Sequence, residues 1–546
     1  VVDGRPAGAG RQVPYAYVYR AHRNALGLAF AEFTGRTSAK EAASRRLWER
    51  FQVFKQQNAP WLERDALFEA LCLEHGSAHW RDWSNPTQGD LDQRLWHPAA
   101  GEAPSCKKRR AELKTRYRSV ADFYEFTQFV AHEQHRHFRE ETKELGLTVF
   151  GDLQIGFSDQ DNWSYQALFL PDYLMGAPPS RTNPDGQPWS YPVLDPAQYL
   201  EGEKPGPVQQ LVTARMDKMF AEFDGVRIDH PHGLVCPWVY RTDQADPIRA
   251  VGEGARLFGS PDLPDHPHLA RYAIARPEQL NREPTTPRHA DDWVVSLTAE
   301  QVDRYGMLFN VLIAAAHKNG RHTSDLVCEV LSTMPYPLQR VLARHRLGRF
   351  RVTQKADLRN PGDVYRSENA EPTDWIMVGN HDTKPIWRLI EDWEESGELR
   401  ERASYLAGRL GPEGSAREEF VERLARDPRL LAQAYFADIF ASQAENVMIF
   451  FSDLFGLTEL YNQPGTISDA NWSLRLPTDY RREYLERVAQ DRALNLPLAL
   501  ALALQARSAV KAEDDLLCGL RAQAEALAER KIPVLDNGSP FRRSGN

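Results

Sequence analysis

No stretch of this sequence is apolar and uninterrupted enough to cross a bilayer. Its most apolar run, LNLPLALALALQARSAV (494–510), is broken by Pro497 and falls short of the roughly 18 residues a spanning helix needs, so it is expected to be a buried helix. Cysteine is scarce. Cys72, Cys106, Cys236, Cys328 and Cys518 are scattered, odd in number and never paired as C-x-x-C, which argues against a disulfide framework and a zinc site and for reduced thiols in a cytoplasmic protein. Positive charge is not in excess either: a formal net charge of −9 speaks against nucleic acid or an anionic membrane as the main partner. There is no internal repeat, no low-complexity tract and no secretory signal. The chain does not begin with Met, so Val1 need not be the native start. What remains is an ordinary globular balance, 42% hydrophobic and 26% charged, in 546 residues. That length holds two or three domains, or one large barrel with insertions.

The aromatics stand out, with 13 Trp, 19 Tyr and 24 Phe. The first and last dozen residues are small and polar, and are expected to fray. From about 35 to 145 the apolar spacing is helical, ending in the long amphipathic stretch SVADFYEFTQFVAHEQHRHFREETKELG, which Gly146 closes. The period then changes. Short β-like runs recur at LTVFGDL (147–153), FDGVRIDH (223–230), DLVCEV (325–330), RFRVTQK (349–355), WIMVGNHD (375–382) and VMIFFSDLFG (447–456), each followed by loops and a helical pattern. Strands alternating with helices predict an α/β protein with a parallel sheet. Six runs fall short of the eight strands of a closed (β/α)8 barrel. The missing two are sought in VPYAYVYRA and LGLAFAEF, before residue 35.

The ends of these runs carry the chemistry. Asp152, Asp229, Glu329 and Asp382 close four of them, and Asp453 lies near the end of the sixth. In a (β/α)8 barrel all such ends meet on one face. Carboxylates gathered there repel unless protonated, paired with a cation, or placed around a substrate that becomes cationic. Arg227 and His381 stand two residues and one residue before carboxylates, as that demands. The pattern suits glycosidic bond chemistry, where one carboxylate attacks, another shares protons and the transition state is oxocarbenium-like.

GVRIDHPHG (225–233), LVCEV (326–330), GNHDT (379–383), the loop MGAPPSRTNPDGQPWSYP (175–192) and ELYNQPGT…NWSLR (459–475) together resemble, in order and spacing, the amylomaltases or 4-α-glucanotransferases of the α-amylase clan. The likeness runs from about Trp61 to Asp479. It implies a (β/α)8 barrel forming a single catalytic unit over 1–546, with helical insertions at about 35–120, 231–322 and 388–440. It also implies retaining transfer of an α-1,4-glucan segment to the 4-hydroxyl of glucose or another maltodextrin, with no cofactor and no metal. By the same resemblance Asp229 is the nucleophile, Glu329 the general acid/base and Asp382 the carboxylate that holds sugar hydroxyls. Arg227, His381, Asn380, Asp152, Gln187, Trp189 and Asn462 are substrate contacts, and 176–192 is a mobile loop over the cleft. The chain departs from the family in having Ser180 after the loop prolines, Pro231-His232 after R-I-D-H, and EVLST around the acid. The family's PTSLPG-like and SPY motifs are not found.

Other signals read more plainly. HEQHRH (132–137) misses the H-E-x-x-H spacing and is expected on a partly solvated helix face. CKKRR (106–110) reads as an exposed helix start, and the Trp-rich segment 79–96 as packing beneath a loop rather than a glucan-binding patch. His230 reads as a hydrogen-bonded or sugar-contacting histidine. The carboxylates alone leave a hydrolase of the same clan open, and a non-catalytic glucan-binding homologue as well.

Overall fold

The computed structural model describes residues 11–35, 42–84, 89–181, 183–411, 414–507 and 514–529, so nearly all of the expected frayed ends lies outside the described residues. The chain divides into two compact units, Tyr19–Leu347 and Gly348–Asn546, the second also taking in Val2–Val18.

In the first unit, three short parallel strands, β1 (Phe150–Leu153), β2 (Gly225–Ile228) and β3 (Leu326–Cys328), lie side by side with β2 in the centre. Asp152 is opposite Arg227, and Arg227 opposite Val327. Val226, Ile228, Leu326 and Cys328 are buried in the unit's main core, as expected of parallel strands covered on both faces. In the second unit β4 (Phe350–Val352), β5 (Trp375–Met377) and β6 (Asn446–Met448) form another parallel sheet, in that order. Each of the six runs predicted from sequence thus overlaps a strand shorter than the run itself, the sixth strand starting one residue early at Asn446. Helices Ile386–Ser396, Leu399–Leu410, Ser415–Arg426 and Pro428–Ala441 follow β5.

The helices before β1 form for the expected reason. Phe126 and Phe129, three apart on Arg118–Glu144, are buried against Phe51, Phe54 and Leu62 of Ala42–His75. Each ring removed from water contributes roughly 1.5–3 kcal/mol. The two strands sought before residue 35 are not there: VPYAYVYRA and LGLAFAEF fall almost entirely within one helix, Tyr15–Gly35. Its Phe30 and Phe33, at helical spacing, pack on Phe126. Among the described residues no strand precedes Phe150.

CKKRR is not wholly exposed. Cys106 and Arg109 of Ala103–Arg116 are buried, with Arg109 gripping Asp92 through Nε and Nη2 at 2.9 Å each and Glu74 at 2.8 Å. A guanidinium with carboxylate partners on two segments is one of the few charges a core accepts. All five cysteines are free thiols, and no helix among the described residues is long and apolar enough to cross a membrane.

The expected cleft loop is strand at both ends, 176–177 and 187–192, with a connection between them. Phe169–Ala177 pairs antiparallel with Gln187–Leu194 on one side and Trp238–Arg241 on the other, and Ala255–Arg256 completes a four-stranded sheet. Gly176 is required where the hairpin closes, since a Cβ there would lie 2.5 Å from the Gln187 carbonyl oxygen. Gln187 and Trp189 therefore sit on a hydrogen-bonded strand, while Ser180 lies in the connection, its N–H donating to the Asn183 carbonyl at 2.9 Å.

Candidate active site

The parallel pairing of β1, β2 and β3 brings their carboxyl ends together, and polar residues cluster there. The Asp229 N–H donates to the Leu153 carbonyl and the Glu329 N–H to the Ile228 carbonyl, both at 3.0 Å, so the sheet's hydrogen-bond pattern extends one residue past each strand and fixes both carboxylates. Arg227 lies between them. Its Nη1 donates to Asp152 Oδ1 at 2.6 Å, while Nη2 lies 2.7 Å from Glu329 Oε2 and 3.3 Å from Asp229 Oδ1. His230 Nδ1 reaches the same two groups, 3.1 Å from Asp229 Oδ1 and 3.4 Å from Glu329 Oε2.

His230 adopts φ of +43°, a left-handed backbone that is uncommon for a non-glycine residue, least expected before a proline, and worth about 1–3 kcal/mol of strain. That turn swings its ring back over the carboxylates, where the Trp189 ring meets it edge-on at 5.0 Å. Gly233 lets the chain pass Ile155, whose side chain would lie 2.4 Å from a Cβ at that position.

These contacts push the two carboxyls apart. Burial opposes ionisation of Asp229, but hydrogen bonds from His230 and Glu329 and the charges of His230 and Arg227 outweigh it and hold Asp229 well below the usual range. Glu329, with 2% of its side chain exposed, moves the other way: burial dominates, and its hydrogen bond to Asp229 reinforces the protonated form against the pull of His230 and Arg227. Burial would lower His230, yet both carboxylates raise it to about 10. These shifts favour ionisation of Asp229 and protonation of Glu329 beside two cations. Ligand atoms of Asp229, His230 and Glu329 lie within 4.8 Å of one another, a spacing a metal would also accept. The Arg227 guanidinium, however, already supplies the positive charge between the two carboxylates.

In the second unit the turn after β5 carries the other expected residues. Asn380 is buried, and its Oδ1 accepts the Asp382 N–H at 3.0 Å while its own N–H donates to Thr383 Oγ1 at 2.9 Å, so it shapes the turn. Asn462 Nδ2 donates to Asp382 Oδ1 at 2.6 Å, and His381 Nε2 is 3.5 Å from Asp382 Oδ2. The half-exposed Trp472 ring lies 5.1 Å from the His381 ring. Asp453 does not join them. It is buried in Phe451–Leu454, where its Oδ1 accepts the N–H of Ile386 at 2.8 Å, at the start of a helix, and burial raises its carboxyl to about 7.

Three participants were not assigned from sequence. For His230 the sequence predicts a hydrogen-bonded or sugar-contacting residue, and its place beside Asp229 is the signal for the closer role. Tyr191, whose phenol is pushed up by burial and then by the Asp229 charge, follows Trp189 by two residues, as strand alternation would place it on the same face. Trp472 stood within the quoted NWSLR.

A family model described as 4-alpha-glucanotransferase matches residues 4–480. The 4-alpha-glucanotransferase of Thermus thermophilus is 29% identical over 244 residues, covering 43% of this chain and 43% of that protein. That of Aquifex aeolicus is 28% identical over 232 residues, 41% of each. The chain thus matches less than half the length of these curated relatives. Among solved structures it is similar to an amylomaltase from Streptococcus agalactiae in complex with acarbose, with TM-score 0.60 and 17% identity over 88% of this chain and 81% of that one. It is also similar to an amylomaltase from Corynebacterium glutamicum, with TM-score 0.56 and 17% identity over 94% and 59%. At such identity these two likenesses bear on the fold alone.

Proposed function

The chain belongs to the 4-alpha-glucanotransferase family, and from that premise we propose that it transfers a segment of an α-1,4-glucan to the 4-hydroxyl of glucose or another maltodextrin. The observation that carries this reading is the shared contact of Asp229 and Glu329 with Arg227 and His230, which favours ionisation of Asp229 while burial favours the protonated form of Glu329. Retaining glycoside chemistry places its two carboxyl groups about 5–5.5 Å apart, against about 6.5–9.5 Å when a water must fit between. The direct hydrogen bond between the Asp229 and Glu329 carboxyls leaves no room for a water between them, which supports the first geometry.

In the proposed reaction an Asp229 oxygen attacks the anomeric carbon while Glu329 gives its proton to the glycosidic oxygen. The C–O bond breaks, leaving a β-glucosyl ester on Asp229 and an ionised Glu329. The incoming 4-hydroxyl then loses its proton to Glu329 and displaces Asp229, restoring the α configuration. Asp382, held by Asn462, is proposed to bind sugar hydroxyls, as are His381 and Asn380. Gln187, whose Oε1 accepts the Trp189 indole N–H at 3.2 Å, is proposed with Trp189 to hold the acceptor. Asp152 is proposed to contact substrate while bracing Arg227. The finer fold proposed is a single (β/α)8 unit, supported by parallel sheets whose chemistry lies past their carboxyl ends. A cytoplasmic location fits the free thiols.

Incubation with maltotriose tests the reading. Transfer yields a ladder of longer maltodextrins with glucose, hydrolysis alone yields maltose with glucose, and a binding-only protein leaves the sugar unchanged. Either of the last two results overturns the proposal.

A further inference from the structure

In the second unit Trp472 adopts φ of +60°, a left-handed backbone that costs a non-glycine residue about 1–3 kcal/mol. A glycine would carry the same backbone without strain, yet the chain keeps an indole there, 45% exposed. The ring lies 5.1 Å from that of His381 and meets the Tyr461 ring edge-on at 5.3 Å. Both neighbours lead to Asp382. His381 Nε2 is 3.5 Å from its Oδ2, and Asn462, next in the chain after Tyr461, donates to its Oδ1 at 2.6 Å. The indole therefore stands against both segments that grip the Asp382 carboxylate, one at each oxygen.

The strained backbone is held from both sides. On one side the Trp472 N–H donates to the Tyr461 carbonyl at 2.9 Å. On the other, residues 11–15 lie along 472–475. Gln12 forms an antiparallel bridge with Leu474, the Val13 N–H donates to the Ser473 carbonyl at 2.9 Å, and the Arg475 N–H donates to the Arg11 carbonyl at 2.8 Å. The Tyr15 hydroxyl donates to the carbonyl of Trp472 itself at 2.5 Å. Two anchors fix this pairing in place: Leu474 is buried with Phe455 and Leu457, and Arg11 pairs with Glu483.

We propose that Trp472 is a positioning residue for Asp382, acting through His381 and Asn462, and that residues 11–15 are the strap that holds its ring there. The kinetic consequence rests on the reading of Asp382 as a sugar-binding carboxylate, so one readout is made independent of turnover. Tyr15→Phe removes a single hydroxyl. It is expected to lower kcat/KM for maltotriose about fivefold, the worth of one neutral hydrogen bond. In a Trp472→Asn background, which tolerates the left-handed backbone but offers no ring, it is expected to have no further effect. Trp472→Phe should recover part of what Trp472→Asn loses. The ring is also read directly by fluorescence, its contribution taken as the difference between each protein and its Trp472→Phe counterpart. That contribution is expected to be quenched more strongly by iodide in Tyr15→Phe. Losses that multiply in the double variant would mean that the strap supports only the fold, and would overturn the inference, as would an unchanged rate or unchanged quenching in Tyr15→Phe. Failure of the glucan reading appears separately, as maltotriose left unchanged by the unsubstituted protein, and the quenching comparison then still decides whether the strap holds the ring.

Discussion

Replacing His230 by Asn isolates its charge. Asn tolerates the left-handed backbone at this position better than most residues, and its amide can still donate to Asp229, so charge is the main loss. The distances set the scale. A unit charge 3.1 Å from Asp229 Oδ1 is worth about 1.3 kcal/mol at the permittivity of water and about 5 kcal/mol at an effective value of 20. The ring is 34% exposed, so the lower end applies, which is about one pKa unit. The sign follows from which form the cation favours. A positive neighbour stabilises the ionised state of both carboxyls, so removing it raises Asp229 and Glu329 together. The bell-shaped pH dependence of kcat/KM, which reports the pair, is therefore expected to move bodily to higher pH by about one unit in His230→Asn. Initial rates of maltotriose disproportionation, measured from acid to alkaline pH, provide the assay. A profile that keeps its limbs in place while its height falls would show that His230 acts through contact alone, and limbs moving to lower pH would refute the electrostatic reasoning.

Asp229→Asn is expected to abolish turnover with unchanged far-UV circular dichroism and retained oligosaccharide binding; full activity would remove Asp229 from the chemistry. Glu329→Gln should be equally inactive on maltodextrins, yet still form a trapped ester on Asp229 from a glucosyl donor whose leaving group needs no proton, detectable by mass spectrometry of the peptide containing Asp229. Trp189→Ala is expected to reduce transfer more than hydrolysis, because the intermediate can still meet water when the acceptor is poorly held; an equal fall in both would deny the hairpin an acceptor role. Asp224, lowered from 3.8 to about 2 chiefly by its hydrogen bonds from Arg139, anchors the entry to β2. Its depressed carboxyl contributes stability above pH 3.8 that is lost as pH falls through about 2. Asp224→Asn should therefore cost about 1–2 kcal/mol in urea unfolding at neutral pH, after discounting for solvent, with the gap to the unsubstituted protein closing in acid.

Six strands were legible because each is an apolar run broken by a polar end, and parallel pairing within each sheet sets those ends side by side. Asp229 and Glu329 were identifiable for the same reason, as they stand one residue past Ile228 and Cys328. Asp453 shows where this logic stops. A carboxylate near a strand end can equally turn inward to accept a helix N–H, and only the later path of the chain decides. The hairpin 169–194 was hidden by composition. Pro188 and Pro192 sit in a strand, which proline usually avoids, and the register shift between Met175 and Gly176 interrupts the alternation by which a strand is read. Tyr15–Gly35 failed differently, since its short apolar and aromatic runs suit either period and only contacts with Phe126 favour the helix.

The position of the two cations explains more than the ground state. In the proposed first step the negative charge leaves Asp229, which becomes an ester, and appears on Glu329, which has given up its proton; the second step reverses this. A cation bound to one carboxylate alone would stabilise one end of that exchange and oppose the other. Arg227 Nη2 instead lies 3.3 Å from Asp229 and 2.7 Å from Glu329, and His230 Nδ1 lies 3.1 Å and 3.4 Å from the same two. Each cation therefore keeps a near contact with the charge wherever it resides, so little reorganisation accompanies its movement, which is how a preorganised site lowers a barrier. The same geometry requires His230 to remain protonated through both steps, and its rise to about 10 is what two flanking carboxyls produce. The strained backbone at His230 is what brings that second cation within reach, because an extended residue before Pro231 would carry the ring onward with the chain rather than back over Glu329.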